Sequence, residues 1–247
     1  MEKLMAIKTF PAKLVWHKML SPKVKHLAFK REDGEKLNYI PGQFISVHFE
    51  HEDKPLRRSY SIATVDQTSD LIEFAISYVP NGPASELLMN LEVGQTLNFS
   101  GAYGRLILRD EPLQRLFLMA TGTGVTPYRC MLPTLAQHLQ ANPALKIILI
   151  LGVQYRQDAL YADEFIDFAK KYPNFEFRTY FSRDELPGRL PHEYQGYAQH
   201  AFDALLMNPE TDTVYLCGNP NMIDDAFNQL KENGFAIQQV RREKYVS

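Results

Sequence analysis

Ala120-Thr121-Gly122-Thr123-Gly124-Val125-Thr126-Pro127 stands between an uninterrupted apolar run, Arg115–Ala120, and a segment with helical spacing, Tyr128–Leu139. A buried strand that leads through a glycine turn into a helix is the unit of doubly wound sheets, and such sheets bind dinucleotide phosphate at that turn. Glycine lets the backbone approach the anion, and the unpaired N–H groups of the helix start face it. The turn departs from the six-residue Rossmann fingerprint, because threonine and proline stand where the third glycine would be. A Gly-x-Gly turn alone says little; its placement gives it weight.

The alternation continues downstream. Lys146–Val153, Phe175–Tyr180 and Thr213–Cys217 read as strands, and Ala162–Lys171 and Met222–Glu232 as helices, the last stopping at Gly234. Strands without polar alternation, separated by helices, imply a parallel sheet covered on both faces. The last strand runs into Cys217-Gly218-Asn219-Pro220-Asn221-Met222. Asn219 and Pro220 make a good helix start in their own right. Cys217 and Gly218 leave room for a ring to approach the strand end.

Upstream, the chain is strand and turn. Ala12–Leu20, Lys23–Phe29, Gln43–Phe49, Leu56–Ala63, Leu71–Val79 and Gln95–Ser100 are short and often alternating, with turn formers between them. Their number and spacing predict a six-stranded antiparallel barrel. Within it, Arg57-Arg58-Ser59-Tyr60-Ser61-Ile62-Ala63 sets a cation, a ring and hydroxyls on consecutive residues. Alternation sends Arg58 and Tyr60 to one face and Ser59 and Ser61 to the other. That pattern suits a ligand with an anionic and a planar part, and equally an edge strand with a solvated charge. Val79-Pro80-Asn81-Gly82-Pro83-Ala84-Ser85 leads into a short helix whose start could bind an anion or simply be capped by Ser85. The charged segment Arg109-Asp110-Glu111-Pro112 reads as the boundary between domains of residues 1–110 and 111–247.

Composition narrows the class. The chain has 247 residues, a formal net charge of -2 and 45% hydrophobic content, as expected for a soluble globular protein and not for a nucleic-acid or membrane-surface binder. Two cysteines, Cys130 and Cys217, are too few for an iron–sulfur or structural zinc site, and a reducing cytoplasm suits them better than a disulfide. The start Met1-Glu2-Lys3-Leu4-Met5 shows no leader pattern, and no run approaches a membrane span, so a cytoplasmic location is expected. His48 and His51 have metal-like spacing but no carboxylate partner and are read as structural; Trp16, Phe44 and Phe49 are read as barrel core.

Arg58-x-Tyr60-Ser61, Gly82-x-x-Ser85, Gly122-Thr123-Gly124-x-x-Pro127 and Cys217-Gly218-Asn219-Pro220-x-Met222 occur in the order and spacing of the ferredoxin–NADP reductase family. The chain resembles its short bacterial ferredoxin/flavodoxin–NADP reductases over essentially its whole length. The resemblance implies an FAD-binding barrel, an NADP-binding doubly wound domain and no metal. It implies FAD contacts from Arg58, Ser59, Tyr60, Ser61, Gly82, Ala84, Ser85, Thr123 and Tyr245, with Ser61 at the hydride-accepting flavin nitrogen. NADP contacts are implied for Thr121, Gly122, Gly124, Thr126, Pro127, Arg156, Ser182, Arg183, Arg189, Cys217, Gly218 and Met222.

Catalytic roles are implied for Ser61, Cys217, Glu243 and Tyr245. The last two lie in Arg241-Arg242-Glu243-Lys244-Tyr245-Val246-Ser247, otherwise a charged tail. Because Val246 and Ser247 follow the tyrosine, its place over flavin or over adenine stays open. Gln154 stands where several relatives carry an arginine, so Arg156 either reaches the 2′-phosphate instead or is a loop cation.

The implied activity is electron transfer from NADPH through FAD to ferredoxin or flavodoxin as a separate protein, by a monomer. The alternatives are a related flavin-dependent reductase (an oxygenase reductase component, or a flavin, ferric-siderophore or cytochrome reductase), or a non-catalytic flavin-binding module.

Overall fold

A computed structural model describes residues 8–109, 111 and 113–245. The start at residues 1–5, Asp110 and Pro112 of the expected boundary, and Val246 and Ser247 lie outside the described residues.

The first sheet contains β1 (Phe10–Ser21), β2 (Val24–Arg31), β3 (Phe44–His51), β4 (Lys54–Ser61), β5 (Leu71–Ser77) and β6 (Thr96–Tyr103), in the order β4-β3-β6-β1-β2-β5. Every pairing is antiparallel. A bridge between Ile62 and Phe74, with the Ala63 N–H on the Glu73 carbonyl at 2.7 Å, joins the two edges into a barrel. Its interior is the set that alternation selects, including Ala12 and Leu14, Leu27 and Phe29, Ile45 and Val47, and Ile72 and Phe74. Helix α1 (Pro83–Asn90) lies between β5 and β6.

Trp16 is not barrel core. A register shift between Leu14 and Trp16 takes it out of the alternation, and it stacks half-buried on His26 at 5.1 Å. Phe44 and Phe49 are also half-buried, at the barrel's rim. His48 shares a hydrogen bond with Ser100, Nε2 to Oγ at 2.8 Å.

The second sheet is parallel: β7 (Arg115–Thr121), β8 (Lys146–Val153), β9 (Phe175–Phe181), β10 (Glu193–Gln195), β11 (Asp212–Gly218) and β12 (Val240–Lys244), in the order β10-β9-β8-β7-β11-β12. Helices α2 (Thr126–Ala141), α3 (Ala162–Lys171), α4 (Ala201–Leu205) and α5 (Pro220–Glu232) complete it. The central strands read as continuous apolar runs because both faces are covered. Leu116, Leu118 and Ala120 pack with Tyr128, Met131 and Leu135 of α2, while Phe117 and Met119 pack with Ile223, Ala226 and Leu230 of α5. The charged C-terminal segment is strand β12, not a tail. Val240 anchors it, and Arg241, Arg242 and Lys244 are the charges an edge strand carries.

The two halves share a seam. Cys130 of α2 belongs to the barrel core, while Val24, Ala75 and Leu106 belong to the core of the parallel half. Across the seam, Arg129 of α2 donates through Nη1 to the Ala63 carbonyl at 2.6 Å and to Glu73 Oε2 at 3.1 Å, and through Nε to Glu164 at 2.7 Å. His26 Nε2 lies 3.2 Å from Glu73 Oε2, and Nδ1 lies 2.8 Å from the Tyr161 hydroxyl. One arrangement satisfies all of them: Nε2–H donates to Glu73, and Nδ1 accepts from Tyr161. Tyr161 is held at φ 57°, uncommon for an aromatic residue, by this bond and by the Arg129 guanidinium 4.7 Å from its ring.

Burial holds the His26 imidazole below its ordinary value, so the folded chain keeps it neutral. Burial would raise Glu73, but His26 and Arg129 override it and hold the carboxylate below its usual range. Both depressed values have the same sign. Each contributes stability that is present above its unfolded-state pKa and lost as pH falls toward its folded value. Stability therefore begins to fall below pH 6.5, the ordinary value of His26. The His26→Phe variant should lose this slope, at most about 1.4 kcal/mol per pH unit, in urea unfolding between pH 6.5 and 5. An unchanged slope would assign the acid sensitivity to other groups.

Candidate functional site

Two strand–helix turns meet at the carboxyl edge of the parallel sheet, β7 to α2 through Gly122–Val125 and β11 to α5 through Asn219. They approach backbone to backbone. A Cβ at Gly124 would lie 2.4 Å from the Cys217 carbonyl oxygen, and one at Gly218, whose φ is +122°, would lie 2.6 Å from both the Thr121 carbonyl oxygen and its Oγ1. The Asn219 N–H donates to Thr121 Oγ1 at 2.9 Å, and Asn219 Oδ1 caps α5 on the N–H groups of Asn221 and Met222. Gly122 differs: its φ is +52° and a Cβ there would meet nothing within 4 Å.

The turns floor a cleft of about 960 Å³. Thr121, Gly122, Thr123, Ser182, Gly218, Met222 and Tyr245 line it, so these expected site residues are brought together. Thr126 and Pro127 are instead buried beneath the turn, and the Thr126 hydroxyl has no hydrogen-bond partner among the described residues. Chain order puts the N-terminal residues of a helix under the turn that precedes them, so only the turn itself faces the cleft. The barrel supplies the opposite wall with Ser21–Val24, Ser77 and Tyr78, and the segment after β10 adds Tyr197. Those residues were missed in the sequence; Gly196-Tyr197 carries the only local signal, a glycine turn before an exposed aromatic.

At one end of the cleft the two sheets touch. Ser61, the last residue of β4, donates from Oγ to Glu243 Oε1 at 3.2 Å and accepts from the Tyr245 hydroxyl at 2.5 Å. Glu243 on β12 stands beside Cys217 on β11 in the strand register, and the Tyr245 N–H donates to the Gly218 carbonyl at 2.8 Å. Ser61, Cys217, Glu243 and Tyr245, distant in sequence, thus form one group. Of the four, Tyr245 lines the cleft, with its hydroxyl on Ser61.

The group carries no cation. Burial pushes the Cys217 thiol well above its usual value, with Glu243 adding to it, so it is a thiol and not a nucleophilic thiolate. Burial also raises Glu243, opposed only by the Ser61 hydroxyl. Burial, with Cys217 and Glu243 beside it, keeps the Tyr245 phenol protonated. Such a pocket suits an uncharged planar ring and one exchangeable proton.

Arg58 is exposed, and among the described residues no carboxylate pairs with it. Ser59 faces the other way, its Oγ 3.1 Å from Ser46 Oγ. Tyr60 stacks on Phe74 with centroids 5.1 Å apart. The N–H groups of Ala84 and Ser85 at the start of α1 have no partner among the described residues, while Gly82 provides the extended N-cap. The Ser85 hydroxyl is already used: it accepts from the Val79 N–H at 3.1 Å and lies 2.9 Å from the Val79 and Gly82 carbonyls. An unpaired guanidinium, free helix-start donors and a half-buried ring fit the two phosphates and flat ring of FAD.

The arginines at the far end do not converge. Arg156 forms a bidentate pair with Glu193 at 2.8 and 2.7 Å. Arg189 lies over the Tyr194 ring at 5.1 Å. Arg183 is exposed beside Ser182, and among the described residues no carboxylate pairs with it.

Residues 11–107 match an oxidoreductase FAD-binding domain and residues 118–227 an oxidoreductase NAD-binding domain. Ferredoxin–NADP reductase B of Sorangium cellulosum is 35% identical over 176 residues, 70% of either chain. The toluate 1,2-dioxygenase electron transfer component of Pseudomonas putida is 26% identical over 231 residues; the match covers 93% of this chain and 66% of that longer one. In fold, the chain is similar to a ferredoxin NADP+ reductase of Neisseria gonorrhoeae, with a TM-score of 0.82 at 23% identity over 97% of this chain and 99% of that one.

The turn-to-turn contact makes unequal demands on its glycines. Gly124→Ala should lower stability by about 2–3 kcal/mol, because backbone atoms must move, whereas Gly122→Ala should cost about 1 kcal/mol for the left-handed φ alone. Urea midpoints compare them directly; equal losses would mean that the two turns do not meet as described.

Proposed function

The chain belongs to the ferredoxin–NADP reductase-type family of oxidoreductases, with an FAD-binding and an NAD-binding domain, and on that premise we propose that it passes electrons from NADPH to ferredoxin or flavodoxin. One observation carries the reading: Ser61 of the barrel and Cys217, Glu243 and Tyr245 of the parallel half meet at the end of the nucleotide cleft. We divide the work between residues 1–110 for FAD and 111–247 for NADPH, which the extents of the two family matches support.

Bound FAD supplies the exchange between a hydride pair and single electrons. The protein's residues bind, orient and handle a proton. Arg58 and the N–H groups of Ala84 and Ser85 hold the flavin's phosphates, Tyr60 supports its ring, and Gly82 keeps the approach open. Ser61 presents a hydroxyl to the hydride-accepting nitrogen, and Glu243 behind it holds a proton that Ser61 can pass. Cys217 offers the nicotinamide an uncharged wall, and Tyr245, with its hydroxyl on Ser61, moves aside when that ring enters. Thr121 and Gly122 take the NADPH pyrophosphate, with Gly124, Thr126 and Pro127 shaping the turn from behind, and Thr123 is kept as an FAD contact. Gly218 and Met222 border the nicotinamide end. Ser182 and Arg183 take the 2′-phosphate, and Arg189 joins them by leaving Tyr194. Among the described residues no helix is long and apolar enough to cross a membrane, and we place the protein in the cytoplasm as a monomer.

The oxygenase-reductase relative keeps a second acceptor class in view. NADPH oxidation measured with ferredoxin, flavodoxin, free flavin and a ferric siderophore separates the readings. Fast turnover with only the last two contradicts the carrier assignment. Ser61→Ala should retain FAD while slowing its reduction by NADPH about a hundredfold. Glu243→Gln should remove from the pH profile of that step one ionisation lying above the ordinary carboxylate range; a profile that keeps it assigns the proton elsewhere.

A further inference from the structure

Lys25 lies in the most completely buried stretch of the barrel, Val24–Phe29 of β2, and is itself only 3% exposed. Its ammonium has no carboxylate partner among the described residues. It donates instead to three carbonyls at the end of α1, those of Leu88 at 3.2 Å, Met89 at 2.8 Å and Leu91 at 3.0 Å. Three N–H donors meet three acceptors, so the charge is satisfied without a counter-ion.

Helix α1 needs this partner. It has eight residues, too few to persist alone, and no basic residue in its last turn. Its C-cap, Leu91, is extended at φ -67° and ψ 132°, so no left-handed closure satisfies the last carbonyls. The other end is fixed differently: the Ser85 hydroxyl knits the start of the helix to Val79, leaving the Ala84 and Ser85 N–H groups free. A methionine would fill the same space without the cost of desolvating a charge. What the cation adds is electrostatic and positional. It cancels the negative end of the helix dipole about 12 Å from the free donors and holds the helix axis against β2.

We propose that Lys25 is a positioning residue for FAD, acting through α1 to hold the helix start where it receives the flavin's phosphates. The proposal rests on the FAD reading above and extends it to a residue that does not touch the cofactor.

The test compares FAD with riboflavin, which has the same ring system and no phosphate, by fluorescence titration of flavin-free wild-type, Lys25→Met and Lys25→Gln chains. Wild type should bind FAD much more tightly than riboflavin. In Lys25→Met the FAD Kd should rise about tenfold or more, with riboflavin changed by less than about twofold, and Lys25→Gln should show the same selective loss at smaller size. A merely structural lysine would weaken both flavins alike, and that result, or unchanged FAD affinity, overturns the proposal. Should Lys25→Met show no cooperative melt, Lys25→Gln, which keeps N–H donors without the charge, decides by the same criterion. A wild-type chain that binds neither flavin contradicts the FAD reading itself, an outcome distinct from variants that lack the selective loss.

Discussion

Arg129 ties the end of β4 to the helix that follows the glycine turn. Its guanidinium reaches the Ala63 carbonyl, two residues beyond Ser61, and shares Glu73 with His26, so the barrel and the parallel sheet meet through a nearly dry ionic contact. Removing one partner would leave a charge buried, which typically costs about 3–5 kcal/mol. The contact matters because neither half contains the site. Ser61 comes from one sheet, and Cys217 and Glu243 from the other, and their separation is set by how the two halves are held.

Within the parallel half, close approach is again the governing constraint. Gly124 and Gly218 let two turns share the carboxyl edge at backbone contact, which brings the β11 end beside the β7 turn and opens the cleft above both. At the Ser61 end, burial holds Cys217 and Tyr245 protonated and raises Glu243 above the ordinary carboxylate range.

The fold was legible where one periodicity dominates. Continuous apolar runs such as Ile147–Leu151 announce a parallel strand covered on both sides, and short alternating runs announce the barrel. Strand β12 was hidden because an edge strand with a single apolar anchor, Val240, has the composition of a tail; only pairing with β11 reveals it. Trp16 was misread as core because a bulge reverses the alternation. Motif resemblance identified Ser61, Cys217, Glu243 and Tyr245, and their convergence follows from topology that no local window contains. Arg129, His26 and Lys25 went unread for a related reason: each acquires its partners from elements at least 35 residues away. Arg156 shows the converse. The sequence left it open between a 2′-phosphate ligand and a loop cation, and it pairs with Glu193, from a strand too short to announce itself.

A single site should exchange electrons between a nicotinamide and a flavin, and an anaerobic visible titration tests this most directly. The purified chain, supplied with FAD, should show oxidised-flavin absorbance that NADPH bleaches rapidly and NADH bleaches slowly. A chain that takes up FAD but is bleached by neither nucleotide would contradict the claim that Ser61, Cys217 and Glu243 form a hydride-transfer site. One that takes up no FAD would contradict the reading of the barrel.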